Sequence, residues 1–219
     1  MIFNFFVNAR ANRQSLQQLR IPSKDNPLRV LMSACLSGVA CGFDASTYGE
    51  FPNTLNLLKT ETVKIFKFCP EDYSFGTPRA LCDIHGGTGE DVLNGKARVL
   101  TDDGQDWTEG MIRASEKMLQ LAQNEKIELA IMMDVSAACG SAVIYDGNRR
   151  SAQSQYQIGA GVCAAQLIRH SFCVISQRDF AAFEILKAKT QPNYIIDPSK
   201  IDHEDTSWFQ NYFKGKMNS

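Results

Sequence analysis

Three cysteines stand where apolar runs end: Cys35 in "LMSACLSG", Cys69 in "FKFCPE" and Cys139 in "MDVSAACG". They lie 34 and 70 residues apart. That spacing is unlike the short paired spacings of a zinc ribbon or a local ferredoxin run, so a site that uses all three must be assembled by the fold. Pro70 makes the turn after Cys69 rigid and sets Glu71 just beyond the thiol. A carboxylate there can act as general base for water or orient a substrate N–H. Arg79, in "GTPR", reads as an anion clamp or a structural tie. Gly140 and Ser141 directly follow Cys139, as in a tight turn whose N–H groups can face a ligand. Ser136 adds a hydroxyl to the same loop, and a capping or solvated serine is an equal reading of it. Taken singly, Cys-Pro-Glu is as readily a structural turn as a catalytic one.

The other four cysteines have plainer readings. Cys41 is a spare ligand, a persulfide carrier or an idle loop thiol. Cys82 sits near His85 and suits a nucleophile or a zinc half-site, although the glycine-rich "DIHGGTG" favours a plain loop. Cys163 falls in a predicted helix and Cys173 in a predicted strand, as small core residues do. Seven cysteines scattered in this way do not form a secreted disulfide framework. A reducing compartment, the cytoplasm, is expected. "GGTGEDVLNGK" carries glycines without the Gly-Lys-Ser/Thr ending of a phosphate-binding loop.

Strands and helices alternate around these residues. Strands are predicted at 28–34, 62–69, 127–135 and 172–177, with a short extra one at 97–101. Helices are predicted at 52–60, 161–170, 179–190 and 203–216. Residues 106–126 give the strongest helical pattern, with Met111, Ile112, Met118, Leu119, Leu121 and Ala122 at helical spacing and Asp106 as N-cap. The expected fold is α/β: a three-layer, Rossmann-like sandwich with a mostly parallel sheet and helices on both faces. Ligands of such sheets bind beyond the carboxyl ends of the strands, and the loops of Cys35, Cys69 and Cys139 would all emerge on that edge. The prolines of "IPSKDNP" suggest three parts: an extension and linker (1–27), the main domain (28–190) and a helical tail (191–219).

With 219 residues, 44% of them apolar, the chain suits a single core. Its net charge of −1 gives no sign of a surface for long nucleic acids, which makes a small molecule the expected partner. The first 24 residues hold three arginines and no acid, but "MIFNFFV" comes too early and is too short for a secretory signal. A short amphipathic extension packed on the domain is expected there. No stretch approaches the roughly 20 apolar residues of a membrane span.

In order, "SACLSG", "CPE" with "TPR", "SAACGS" with "IYDG", and "GAGVCAAQLI" resemble the thiouracil desulfurase family from about Leu28 to Gln177. The resemblance implies an α/β fold and a 4Fe-4S cluster held by three cysteines, with one iron left open. By motif position the ligands are Cys35, Cys69 and Cys139, and the catalytic residues are Glu71 and Ser136. It implies non-redox hydrolysis: a thiocarbonyl sulfur is removed from a thiolated pyrimidine, water adds at the ring carbon and sulfide leaves. Three stretches depart from the family, one of them "CPEDYSFGTPR", which stands in place of a more apolar, glycine-rich segment. The family's Ser-Pro-Ser-Cys-Gly is "SAACG" here, and its Arg-Tyr-Asp-Gly is "GFDA". A divergent substrate is expected from these changes. Three other readings remain open at this level: desulfuration of thionucleosides, free or in transfer RNA; a cluster-binding sensor without turnover; and a zinc protein using the same three cysteines.

Overall fold

The computed structural model describes residues 14–47, 51 and 60–214. Its centre is a four-stranded parallel sheet built from β1 (Leu28–Ser33), β2 (Val63–Phe68), β5 (Leu129–Met132) and β8 (Val174–Ser176), in the order β2-β1-β5-β8. β1 pairs in parallel with both β2 and β5, and β5 with β8. Two antiparallel hairpins stand beside it: β3 (Cys82–His85) with β4 (Arg98–Thr101), and β6 (Val143–Asp146) with β7 (Gln155–Ile158). Helices after β1 include α1 (Pro70–Phe75), α2 (Gly89–Leu93), α3 (Thr108–Asn124), α4 (Val162–Arg169), α5 (Phe180–Thr190) and α6 (Ser207–Phe213), and the described residues 14–18 ahead of β1 are helical as well.

Period-two alternation divides the strand residues between two apolar layers. Leu31 and Ala130 enter a core with Met111, Ala114 and Met118 of α3 and Val162 and Ala165 of α4. Leu28, Val30, Leu129 and Ile131 join Ala182, Phe183 and Leu186 of α5 in the other, together with Leu16 from the N-terminal side. Both faces of the sheet are therefore covered, which explains why β5 is apolar at every position. The α/β sandwich expected from the sequence is the fold observed.

Some boundaries differ from expectation. The long helix begins at Thr108, because Asp106 bridges back to Leu100 and its carboxylate accepts the Thr108 N–H at 2.9 Å; Trp107 takes the N-cap position. The strand expected at 127–135 ends at Met132, and Val135 turns away with a φ of 62°. "CDIH" is a strand rather than loop, and "GTGEDVL" opens α2 through a capping box between Thr88 and Asp91. The helix expected at 52–60 lies almost wholly outside the described residues, as do residues 1–13. Among the described residues no helix is long and apolar enough to cross a membrane.

The chain starts the sheet at β1, moves outward to β2, and then crosses to the other side of β1 to lay down β5 and β8. The order therefore reverses between β1 and β5. In an open parallel sheet the loops beyond the carboxyl ends of such strands diverge and leave a crevice.

Candidate functional site

That crevice is a cavity of about 260 Å³, and Cys35, Cys41, Cys69, Cys82, Cys139, Glu71, Ser136 and Arg79 all line it. Each side chain arrives by its own route. Cys35 lies in the 3-10 turn Ala34–Leu36 that follows β1 directly. Cys69 is the N-cap of α1, and its sulfur accepts the Asp72 N–H at 3.4 Å. Pro70 occupies the first helical position, where a missing N–H is harmless. Glu71 thus falls in the first turn of α1, one residue past the proline.

The loop after β5 carries Ser136 and Cys139. Ser136 Oγ accepts the N–H groups of Ala138 at 3.2 Å and Cys139 at 3.1 Å, so the serine organises the turn that presents the thiol. The same hydroxyl donates to Glu71 Oε1 at 3.2 Å and joins the β5 loop to α1. From α4, the N–H groups of Val162 and Cys163 donate to the carbonyls of Ala137 and Ala138. Gly161 permits this approach: a Cβ there would stand 2.6 Å from the carbonyl oxygens of Ser136 and Ala137.

One cation holds the other side of Glu71. Arg79 donates to Glu71 Oε2 from Nε at 3.2 Å and from a terminal nitrogen at 3.0 Å. It also donates to the Cys41 carbonyl at 2.9 Å and the Gly76 carbonyl at 3.1 Å. Burial, the largest single influence, pulls the Arg79 pKa down, but the charge and hydrogen bond of Glu71 together with the nearby thiols raise it, and the net shift is upward. The thiols have no such partner. Contact with Cys35 and then burial push Cys41 up to about 11, although its contact with Cys69 acts the other way. Contact with Cys41, followed by burial, raises Cys69; burial raises Cys139 against a hydrogen bond from Ser33. Without added positive charge these sulfurs stay protonated at neutral pH.

The donor set is five soft sulfurs at one cavity, a composition that suits an iron–sulfur group. A mononuclear zinc site needs its ligands within about 2.3 Å of one ion. Among the described residues no three Cys, His, Asp or Glu groups converge in that way. A cluster spreads its thiolates over separate irons and tolerates wider spacing. The five residues singled out in the sequence, Cys35, Cys69, Cys139, Glu71 and Ser136, all line the cavity, and Arg79 and Cys41 join them. Cys163 and Cys173 are buried in the two cores.

Composition alone does not point to the remaining wall. Tyr145 and Tyr156 face each other across the β6–β7 hairpin, with ring centres 4.7 Å apart and hydroxyls at 3.2 Å. Burial, and then the Tyr156 hydroxyl, push Tyr145 up to about 12. The Arg149 guanidinium lies 4.9 Å from the Tyr145 ring centre and is itself bound to the buried Asp83. Only the register of β6 against β7 pairs Tyr145 with Tyr156, so the sequence carries no direct signal of this wall.

Residues 30–179 match the family model for 2-thiouracil desulfurase. The chain belongs to the 2-thiouracil desulfurase family. A relative in Bacillus subtilis (strain 168), the uncharacterized protein YbbK, is 36% identical over 151 residues, covering 68% of this chain and 96% of that protein. A solved structure of the [4Fe-4S]-dependent thiouracil desulfidase TudS is 31% identical, with a TM-score of 0.56, covering 68% of this chain and 90% of that one. In this desulfurase the matched region ends one residue before α5 begins, so the C-terminal segment is additional to it.

Proposed function

We propose that this desulfurase carries a 4Fe-4S cluster on Cys35, Cys69 and Cys139 and removes sulfur from a thiouracil-like heterocycle by hydrolysis. The observation that supports the reading is the Ser136–Glu71–Arg79 chain of hydrogen bonds running along a cavity that five thiols also line. When bound, the cluster supplies a Lewis-acidic iron with affinity for soft sulfur and the positive charge that the raised thiols lack. The overall exchange is water and a thiocarbonyl in, a carbonyl and hydrogen sulfide out, with no net electron transfer.

The chain's own groups account for the water chemistry. Arg79 and Ser136 each hold one oxygen of Glu71, which fixes the plane of the carboxylate toward the cavity. Glu71 takes a proton from water as the water oxygen adds to the thiocarbonyl carbon. Ser136 keeps the Cys139 turn in register and presents its hydroxyl to the ring or to developing charge. Cys41, between Cys35 and Cys69, completes the sulfur-rich wall. Residues 28–190 form the working domain on this reading, with 1–27 and 191–219 flanking it. A reducing compartment such as the cytoplasm suits the free thiols.

The test is anaerobic reconstitution with iron and sulfide assays, then incubation with 2-thiouracil and 4-thiouracil while thione absorbance and sulfide are followed. About four irons per chain and stoichiometric sulfide release are expected. Glu71→Ala should retain its iron and lose about 100-fold or more in kcat. Wild-type turnover in that variant would remove Glu71 from the base role. An absence of iron after anaerobic reconstitution would overturn the cluster.

A further inference from the structure

The C-terminal segment lies beyond the family match, yet it reaches the cavity wall. The 3-10 turn His203–Asp205 and α6 are pinned at the carboxyl end of the sheet. Asp179 accepts the His203 N–H at 3.2 Å, and Asp202 accepts the Ala182 N–H at 2.9 Å. His203 Nδ1 lies 2.7 Å from Asp134 Oδ2, with both side chains buried. Asp134 stands two residues before Ser136 and lines the cavity. From this anchor the Trp208 ring stacks on His203 at 5.4 Å and on Tyr212 at 5.5 Å.

Both tail aromatics then meet one residue of the wall. Trp208 and Tyr212 each pack edgewise on Tyr156, at 5.5 and 5.6 Å. The Tyr212 hydroxyl also accepts the Tyr156 N–H at 2.9 Å. Tyr156 in turn holds the hydroxyl of Tyr145, whose ring is braced behind by Arg149. Phe209 and Phe213 would suffice to seal the apolar seam against Val143. The Tyr212 hydroxyl does something more specific, because it fixes the backbone of a cavity residue.

We propose that residues 202–213 are a positioning element for the substrate pocket: Trp208 and Tyr212 hold Tyr156, and through it Tyr145, as an aromatic wall that receives the flat face or edge of a thiocarbonyl heterocycle. This rests on the cavity being the substrate site, as proposed above. Aromatic rings at contact distance favour offset or edge arrangements with another ring, and their registry decides how well a planar ligand fits. Loosening the wall therefore weakens binding while leaving Glu71, Ser136 and the thiols in place.

The test compares wild type, Tyr212→Ala, Tyr212→Phe and Tyr156→Leu after anaerobic reconstitution. Steady-state kinetics use 2-thiouracil, and titration calorimetry uses uracil, which has no sulfur to lose. Tyr212→Ala and Tyr156→Leu are expected to raise KM and the uracil Kd about tenfold, with kcat within about twofold and iron content unchanged. Tyr212→Phe keeps the ring contacts and should return both constants to within about threefold of wild type. Should Tyr212→Ala fail to fold, Trp208→Leu carries the same expectation. Unchanged KM and Kd in a folded variant overturn the proposal, and so does a loss of iron in step with KM, which would make the tail a support for the cysteine loop. A wild-type protein that binds uracil without turnover fails the proposed function but leaves the wall testable by Kd. Neither binding nor turnover overturns both.

Discussion

Replacing Arg79 by methionine asks how far one buried cation organises the site. The Arg79 side chain is 4% exposed and that of Glu71 20%, so the pair is largely withdrawn from water. Methionine fills much of the volume of the arginine stem but donates nothing. Glu71 then keeps Ser136 and loses the fork on Oε2, and the carbonyls of Cys41 and Gly76 lose a donor. Removing one partner of a buried pair costs about 3–5 kcal/mol, and the partial exposure of Glu71 places this case near 3 kcal/mol. At about 2–4 °C per kcal/mol for a chain of this size, Tm should fall by roughly 6–12 °C. The assay is thermal unfolding of the metal-free protein under reducing conditions, followed by circular dichroism. Glu71→Gln and the double variant complete a cycle, in which the double change should cost less than the sum of the singles by about 2 kcal/mol. A Tm for Arg79→Met within about 2 °C of wild type, or strict additivity in the cycle, would refute the reasoning.

Gly161→Ala places a methyl against two backbone carbonyls of the Ser136–Cys139 loop, neither of which can rotate away. About 2 kcal/mol of stability should be lost, roughly 4–8 °C in Tm, together with iron uptake below wild type on reconstitution; full stability with full iron would show that the loop shifts freely. Burial first, and then the charge of Asp202, raise Asp179 from 3.8 to about 7. Between about pH 4 and 7 the folded chain therefore holds a proton that the unfolded chain has shed, so stability falls as pH rises through that window and levels off above it. Tm measured from pH 5 to 8 should decline more steeply in wild type than in Asp179→Asn, and parallel curves would remove Asp179 as the cause.

The strands of the sheet could be read directly because each is a mostly apolar run, β5 throughout and the edge strand β2 with Lys64 and Lys67 turned outward. Cys35, Cys69 and Cys139 followed from them: a thiol placed just past such a run lands on the same edge as every other. Glu71 was legible for a local reason, since Pro70 fixes the turn that carries it. The wall was not. Tyr145 and Tyr156 meet only because β6 and β7 pair in one register, and periodicity does not say which residues of two short strands face one another. Arg149 and Asp83 are 66 residues apart and find each other through the hairpins. Residues 203–216 read as one helix, where the structure has a 3-10 turn at His203–Asp205 and α6 at Ser207–Phe213, and nothing in a helical pattern says what it packs against. Asp106 was placed one step wrong because its carboxylate serves a turn that the β4 bridge imposes.

The separation of the cavity's parts along the chain also has a timetable. During synthesis Cys35 emerges first, and Cys139 follows roughly 104 residues later. At about 5–20 residues per second, the first thiol spends on the order of 5–20 s outside the ribosome before the last exists. β1 cannot complete its pairing until β5 has been made, since β5 is one of its two neighbours. For that interval the nascent chain presents sulfurs that the finished fold gathers at one cavity, Cys139 buried and Cys35 and Cys69 partly so. Exposure to oxidants or to wrong metals thus begins during translation, before the cavity that gathers these thiols exists.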